Sequence, residues 1–122
     1  MRFLVIEDNK ADTELLTRYI QKSFPTATVD ACGKFMHGLK CLMHEKYDGI
    51  FLDLNLPDNW GISTVKELKP YTKGAPIYVT TGIAHWVTVE EAKKAGAADV
   101  KEKRALSTET ITDMVGGMAL VG

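Results

Sequence analysis

Five residues of this chain could together handle a phosphoryl group and a divalent cation: Glu7, Asp8, Asp53, Thr81 and Lys103. Glu7 and Asp8 are an acidic pair that closes one apolar run, and Asp53 closes another, GIFLD. Thr81 follows the run PIYVT, and Lys103 follows a weaker one. Three carboxylates gathered at one place repel, so at least one pKa would rise unless a cation intervened. All-oxygen ligands with water completing the shell suit magnesium better than zinc or copper. On this reading Asp8 and Asp53 are direct ligands, and Glu7 holds a metal-bound water. A carboxylate can also act as a nucleophile and form an acyl phosphate, which is the role assigned to Asp53. Magnesium would screen the phosphoryl charge, the Lys103 ammonium would neutralise another oxygen, and the Thr81 hydroxyl would bond a third. Singly, each residue has a plainer reading: the acids and the threonine as turn formers or caps, the lysine as a guard on an edge strand. Their coincidence in this order favours the site.

Such a cluster needs elements that bring its members to one rim. Short apolar runs predict strands at 3–6, 28–31, 49–53, 76–80 and 98–101. Amphipathic stretches between them predict helices at 12–24, 34–45, 62–68 and 87–95, with a last one capped by Ser107 and carrying Ile111, Met114 and Val115. Alternating strands and helices imply an α/β fold, a doubly wound parallel sheet with helices on both faces. In such sheets ligands bind beyond the carboxyl ends of the strands. Each of the five residues falls at such an end.

The bulk properties agree. A chain of 122 residues suits one domain, 1–122, with one core. A composition 45% hydrophobic and 25% charged is ordinary for a globular protein, and a net charge of -1 demands neither nucleic acid nor an anionic membrane as partner. No apolar run is long enough to span a bilayer, and the opening MRFLVIEDNK reads as a strand rather than a signal peptide. Cys32 and Cys41 fit no zinc or redox spacing. They read as small apolar residues in a reducing, cytoplasmic setting.

With these residues in view, the chain resembles the receiver domain of bacterial two-component response regulators over essentially all its length. VIEDN at 5–9 resembles the family's acidic-pair motif. FLDLNLPDNWG at 51–61 resembles its phosphoacceptor strand and loop, with Pro57 and Gly61 at the family's spacing from Asp53. PIYVTTG at 76–82 resembles the strand ending in the hydroxyl residue, and AGAADVKEK at 95–103 the stretch ending in the active-site lysine. The resemblance implies a flavodoxin-like (βα)5 fold like that of the stand-alone chemotaxis regulators, with strand order 2-1-3-4-5. It also implies magnesium and a phosphoryl donor that is a histidine kinase or phosphotransfer protein. By the same resemblance the backbone carbonyl of Asn55 would be a further metal ligand, and the side chains of Asn55 and Ile83 would flank the phosphoryl group.

Three positions depart from the family pattern. Arg104 follows Lys103 where a proline, often cis, is common. A non-proline cis bond costs about 2.5–4 kcal/mol, so a trans bond and a reshaped loop are expected. Val100 stands where an aromatic switch residue is frequent, and Gly82 where alanine is.

The implied function is phosphorelay signalling: phosphorylation of Asp53 changes the binding of a downstream protein, without catalysis on other substrates. The alternative is a constitutive docking module of the same fold, favoured by Val100 and Arg104. A magnesium phosphohydrolase would need a second acid and a capping element, and neither is evident. Flavin binding lacks a phosphate-cradling loop after the first strand. Trp60 and Trp86 are expected to cover the core edge. His37, His44 and His85 lack the surroundings of a phosphotransfer helix. The run EEAKK at 90–94 reads as a solvated helix face with ion pairs. Gly116 and Gly117, each costing a helix about 1 kcal/mol, are expected to end or kink the last helix and to weaken any homodimer built on it. No output domain is visible, so the chain either works alone through a partner protein or belongs to something longer.

Overall fold

The apolar runs form the interior of a parallel sheet. A computed structural model describes residues 1–82 and 87–121, the side chains of 117–121 excepted. Its strands are β1 (Arg2–Ile6), β2 (Thr28–Cys32), β3 (Gly49–Asp53), β4 (Ile77–Thr81) and β5 (Asp99–Glu102). Its helices are α1 (Lys10–Ser23), α2 (Phe35–His44), α3 (Ser63–Leu68), α4 (Val89–Ala95) and α5 (Thr108–Val121). The sheet order is β2-β1-β3-β4-β5, all parallel, as expected.

β3 and β4 are buried at every position, and β1 at all but its first. Their side chains alternate between two cores. Phe3, Val5, Phe51 and Tyr78 pack with Leu16 and Ile20 of α1 and with Ile111, Met114 and Val115 of α5. Leu4, Ile6, Leu52, Val79 and Val100 pack with Phe35 and Leu42 of α2, Val65 and Leu68 of α3, and Ala92 and Ala95 of α4. Helices therefore cover both faces, and the open edge lies at the carboxyl ends of the strands.

Several boundaries differ from expectation for local reasons. The Asn9 side chain accepts from the Asp12 N–H at 3.0 Å, so α1 begins at Lys10 rather than 12. Thr88 likewise caps α4 by accepting from the Glu91 N–H at 3.0 Å, which moves its start to Val89. Pairing of Thr81 with Glu102 carries both β4 and β5 one residue further than predicted. Ser107 does cap α5, accepting from the Thr110 N–H at 3.1 Å. That helix continues through Gly116 and Gly117 to Val121, against the expected break. Anchoring of its first half, with Ile111, Met114 and Val115 buried against α1, outweighs the glycine penalty.

α2 sits unusually close to the sheet. A methyl group at Gly38 would lie 2.5 Å from the Ile6 Cδ1 atom, one residue before Glu7. The described peptide bonds are all trans, Lys103–Arg104 among them.

Candidate functional site

The sheet edge brings the predicted acids together. Glu7, Asp8 and Asp53 each offer a carboxylate oxygen, and these lie within 4.8 Å of one another. Glu7 and Asp53 are buried, while Asp8 is exposed at the mouth. Asp53 reaches the site because it ends β3, with its neighbours on β1 and β4 holding the strand in register.

Lys103 enters from a short 3₁₀ turn, Lys103–Ala105, directly after β5. Its Nζ is ion-paired to Glu7, lies 3.1 Å from the Asp12 Oδ2 and 3.6 Å from the Asp53 Oδ2. The other Glu7 oxygen accepts from the Asn9 N–H at 3.1 Å. Both oxygens of Glu7 are thus engaged by the protein, whereas Asp8 makes no such bond among the described residues. Arg104, where a proline was the common residue, turns outward and pairs with Glu102 at 2.6 Å.

Charge is incompletely balanced here. Burial pushes the Glu7 carboxyl up to about 7; Lys103 and the Asn9 N–H pull it down, while Asp53 adds to the rise. Burial pulls the Lys103 ammonium down, but Glu7, Asp53 and Asp12 outweigh it and raise its pKa, so it stays charged. One ammonium among four carboxylates leaves a negative pocket. An all-oxygen set of this kind, two of its three acids buried, fits a hard divalent cation.

Thr81 ends β4, fully buried, with its hydroxyl donating to the Gly82 carbonyl at 3.3 Å. A methyl group at Gly82 would meet nothing within 4 Å, so the alanine common in the family would fit. Val100 is buried in the core and pairs with Val79. Asn55 is exposed two residues past Asp53 and forms an isolated antiparallel bridge with Trp60. Ile83, His85 and Trp86 lie outside the described residues. His37 and His44 are exposed on α2, apart from the acidic cluster. Glu90, Glu91, Lys93 and Lys94 are exposed on α4 while Ala92 between them is buried, and none of the described ion pairs involves them.

Trp60 contradicts its expected role, being 71% exposed. The 54–61 loop explains this. Leu56 N–H bonds to the Asn59 carbonyl at 3.0 Å and Gly61 N–H to the Leu54 carbonyl at 2.7 Å, with Gly61 at φ 84°. This turn directs Leu54 and Leu56 into the core and leaves Trp60 outside.

Two residues of this edge escaped the sequence reading. Asp12 accepts from the Lys103 ammonium across 91 positions, a separation that no local spacing signals. Asp58 supplies the cap that α2 lacks. Its carboxylate accepts from the Phe35 N–H at 2.7 Å and the Met36 N–H at 3.0 Å. Burial opposes ionisation of Asp58, but these two N–H groups and Lys34 hold its pKa below the ordinary value. Asp58→Ala should lower stability by about 1 kcal/mol in urea titration. Asp58→Asn, which keeps one acceptor, should lose less.

A sequence profile described as the response regulator receiver domain matches residues 3–115. The chain belongs to that family. Membership places it in two-component phosphorelay signalling, where receivers interact with histidine kinases or phosphotransfer proteins, and does not favour the constitutive docking alternative. The transcriptional regulatory protein CusR of Escherichia coli K12 is 34% identical over 83 residues, covering 68% of this chain and 36% of CusR. The chain thus spans about a third of that relative's length. A two-component response regulator from Clostridium difficile has the same fold, with TM-score 0.84 at 22% identity over 98% of this chain and 96% of that one. A response regulator from Burkholderia pseudomallei, solved with a phosphorylated aspartic acid, calcium ion and citrate, has TM-score 0.74 at 26% identity, covering 99% of this chain and 72% of that one. Among the described residues no helix is long and apolar enough to cross a membrane.

Proposed function

We propose that this receiver accepts a phosphoryl group on Asp53, with magnesium held by Asp8, Asp53 and the Asn55 carbonyl. The observation that carries this reading is the convergence of Glu7, Asp8 and Asp53 on one point with the Lys103 ammonium beside them. The phosphorylated aspartic acid and calcium ion of the Burkholderia regulator support it by analogy.

An Asp53 oxygen attacks phosphorus in line. A P–O bond forms as the P–N bond to the donor histidine breaks, and the electron pair leaves on the imidazole nitrogen, which takes a proton. Lys103, already 3.6 Å from Asp53, neutralises a phosphoryl oxygen. The Thr81 hydroxyl, at the end of the neighbouring strand, turns from the Gly82 carbonyl to another. Glu7, engaged by Lys103 and Asn9, would help hold the hydrated cation. The metal supplies charge screening between the acids and the incoming group.

The test is incubation with magnesium and acetyl phosphate, read by intact mass and peptide fragmentation. The expected result is one phosphoryl adduct, on Asp53. Absence of an adduct on a protein shown to bind magnesium would defeat the proposal.

The same geometry predicts a pH-dependent metal effect. Between the unfolded value of 4.5 and the folded value of about 7, the metal-free folded state holds a Glu7 proton that the unfolded chain releases. More protons bound when folded means that stability falls as pH rises through that window. A cation favours the ionised cluster, so magnesium should raise the melting temperature more at about pH 8 than at about pH 5.5. Equal gains at the two pH values, by calorimetry, would contradict the predicted linkage.

A further inference from the structure

We propose that Asp12 is a positioning residue for phosphoryl transfer: it holds the Lys103 ammonium so that one N–H faces Asp53. This rests on the reading of Asp53 and Lys103 given above. It adds a carboxylate that neither takes the phosphoryl group nor holds the cation.

Asp12 stands apart from the other acids of the site. Glu7, Asp8 and Asp53 each bring a carboxylate oxygen to the point where a cation fits, and Asp12 is not one of that group. Its only side-chain partner among the described residues is Lys103, whose Nζ donates to the Asp12 Oδ2 at 3.1 Å. An ammonium has three N–H donors. Glu7 and Asp12 take two of them. Asp53, at 3.6 Å, lies beyond hydrogen-bond length. The third donor is left on the Asp53 side, where the phosphoryl group would arrive.

A lysine alone would not keep that aim, because its four-carbon stem is flexible and its ammonium rotates. Space to turn the other way is present. Beside Lys103 is a cavity of about 20 Å³, whose largely apolar wall is Leu15, Leu16, Tyr19 and Leu106. It has room for roughly one water. Glu7 and Asp12 border the same cavity, and their two bonds hold the ammonium at its polar side.

Asp12 is itself held. Asn9 accepts from the Asp12 N–H at 3.0 Å, and the Asn9 N–H donates to Glu7 at 3.1 Å. With the ion pair of Glu7 and Lys103, these bonds close a ring through Glu7, Asn9, Asp12 and Lys103. Such a ring fixes each member more firmly than a single bond does. Within it, Glu7 has a second task, helping to hold the hydrated cation, while Asp12 serves the lysine alone. The plainer role of Asp12 is favourable charge in the first turn of α1. That role would support the helix and would not depend on Lys103.

The experiment follows the phosphorylation of Asp53 by acetyl phosphate at saturating magnesium, read by intact mass on the full chain. Parent, Asp12→Ala, Lys103→Met and the double variant form a cycle, each first shown to be folded by circular dichroism. Asp12→Ala should slow the adduct about tenfold, less than full misplacement of a reacting group can cost. Asp12→Asn, which keeps an acceptor for the ammonium, should recover most of that loss. In the Lys103→Met background Asp12→Ala should change the rate less than about twofold, since two residues acting through one contact are not additive. A parental rate in Asp12→Ala would overturn the proposal, and so would a faster one, which would make Asp12 a restraint on the lysine. Equal slowing with and without Lys103 would also overturn it and return Asp12 to its helix role. If Asp12→Ala alone fails to slow transfer while Lys103→Met is slow, the Asp53 and Lys103 readings stand and only the positioning role falls. No adduct on the magnesium-bound parent would defeat the Asp53 reading, and a parental rate in Lys103→Met would defeat that of Lys103; either takes this proposal with it.

Discussion

Asp53→Asn is expected to leave the fold intact and abolish the phosphoryl adduct. The amide has the size of the carboxylate but lacks the anionic oxygen that attacks phosphorus. It also removes one of the two buried negative charges at the site. Asp53 raises the Glu7 pKa, so its neutralisation should bring that pKa down toward the ordinary range. Without metal the variant should therefore be no less stable than the parent, and gain about 1 kcal/mol if relief of repulsion exceeds loss of the 3.6 Å contact with Lys103. The stabilisation by magnesium should shrink, because a carboxylate ligand has been lost. The checks are intact mass after acetyl phosphate and melting curves with and without magnesium. An adduct that survives in the variant would show that another residue is the acceptor.

That expectation could be drawn in large part from the sequence, because sheet position and chemistry coincide there. A strand buried on both faces must be apolar until it leaves the core, so the acids that end β1 and β3 mark the rim. The same logic located Thr81 and Lys103. It worked less well for β2, an edge strand exposed or half-buried at every position, and for β5, where Asp99 and Lys101 interrupt the apolar pattern. Helix starts were misplaced where a cap decided them, as Asn9 does for α1.

The remaining misses have one physical origin. Asp12 and Asp58 act on partners 91 and 22–23 positions away, and no local spacing announces such bonds. Trp60 failed for a related reason. Hydrophobicity favours burial, but two leucines of the same short loop already occupy the core side, and the turn at Gly61 leaves the indole in solvent. Val100 and Arg104 depart from the family pattern without disturbing the acid cluster. Val100 fills the core beside Val79, and Arg104 answers Glu102. What they remove is an aromatic ring and a proline beyond the site.

Lys103→Met separates the charge of that residue from its volume. Lys103 is the cation nearest to Asp53 among the described residues, and its ammonium contacts three carboxylates at once. Methionine fills the same space without charge. Phosphorylation of Asp53 by acetyl phosphate should slow by about 10²–10³-fold, the usual consequence of removing one preorganised charge-stabilising donor. Magnesium affinity should hold or rise, since the competing cation is gone. The metal-free protein should lose about 1–3 kcal/mol near neutral pH, less than for a fully buried pair because the lysine side chain is 23% exposed. That loss should diminish on acidification, when Glu7 can take a proton, or on adding magnesium, when the cluster regains a cation. Single-turnover mass spectrometry measures the rate, and urea titration at two pH values measures the stability. A variant that binds magnesium and is phosphorylated at the parental rate would remove Lys103 from the transfer step and leave it only the work of holding Glu7. Slow transfer with normal magnesium binding would assign the ammonium to the phosphoryl oxygen, and the ion pair with Glu7 would then be its resting position.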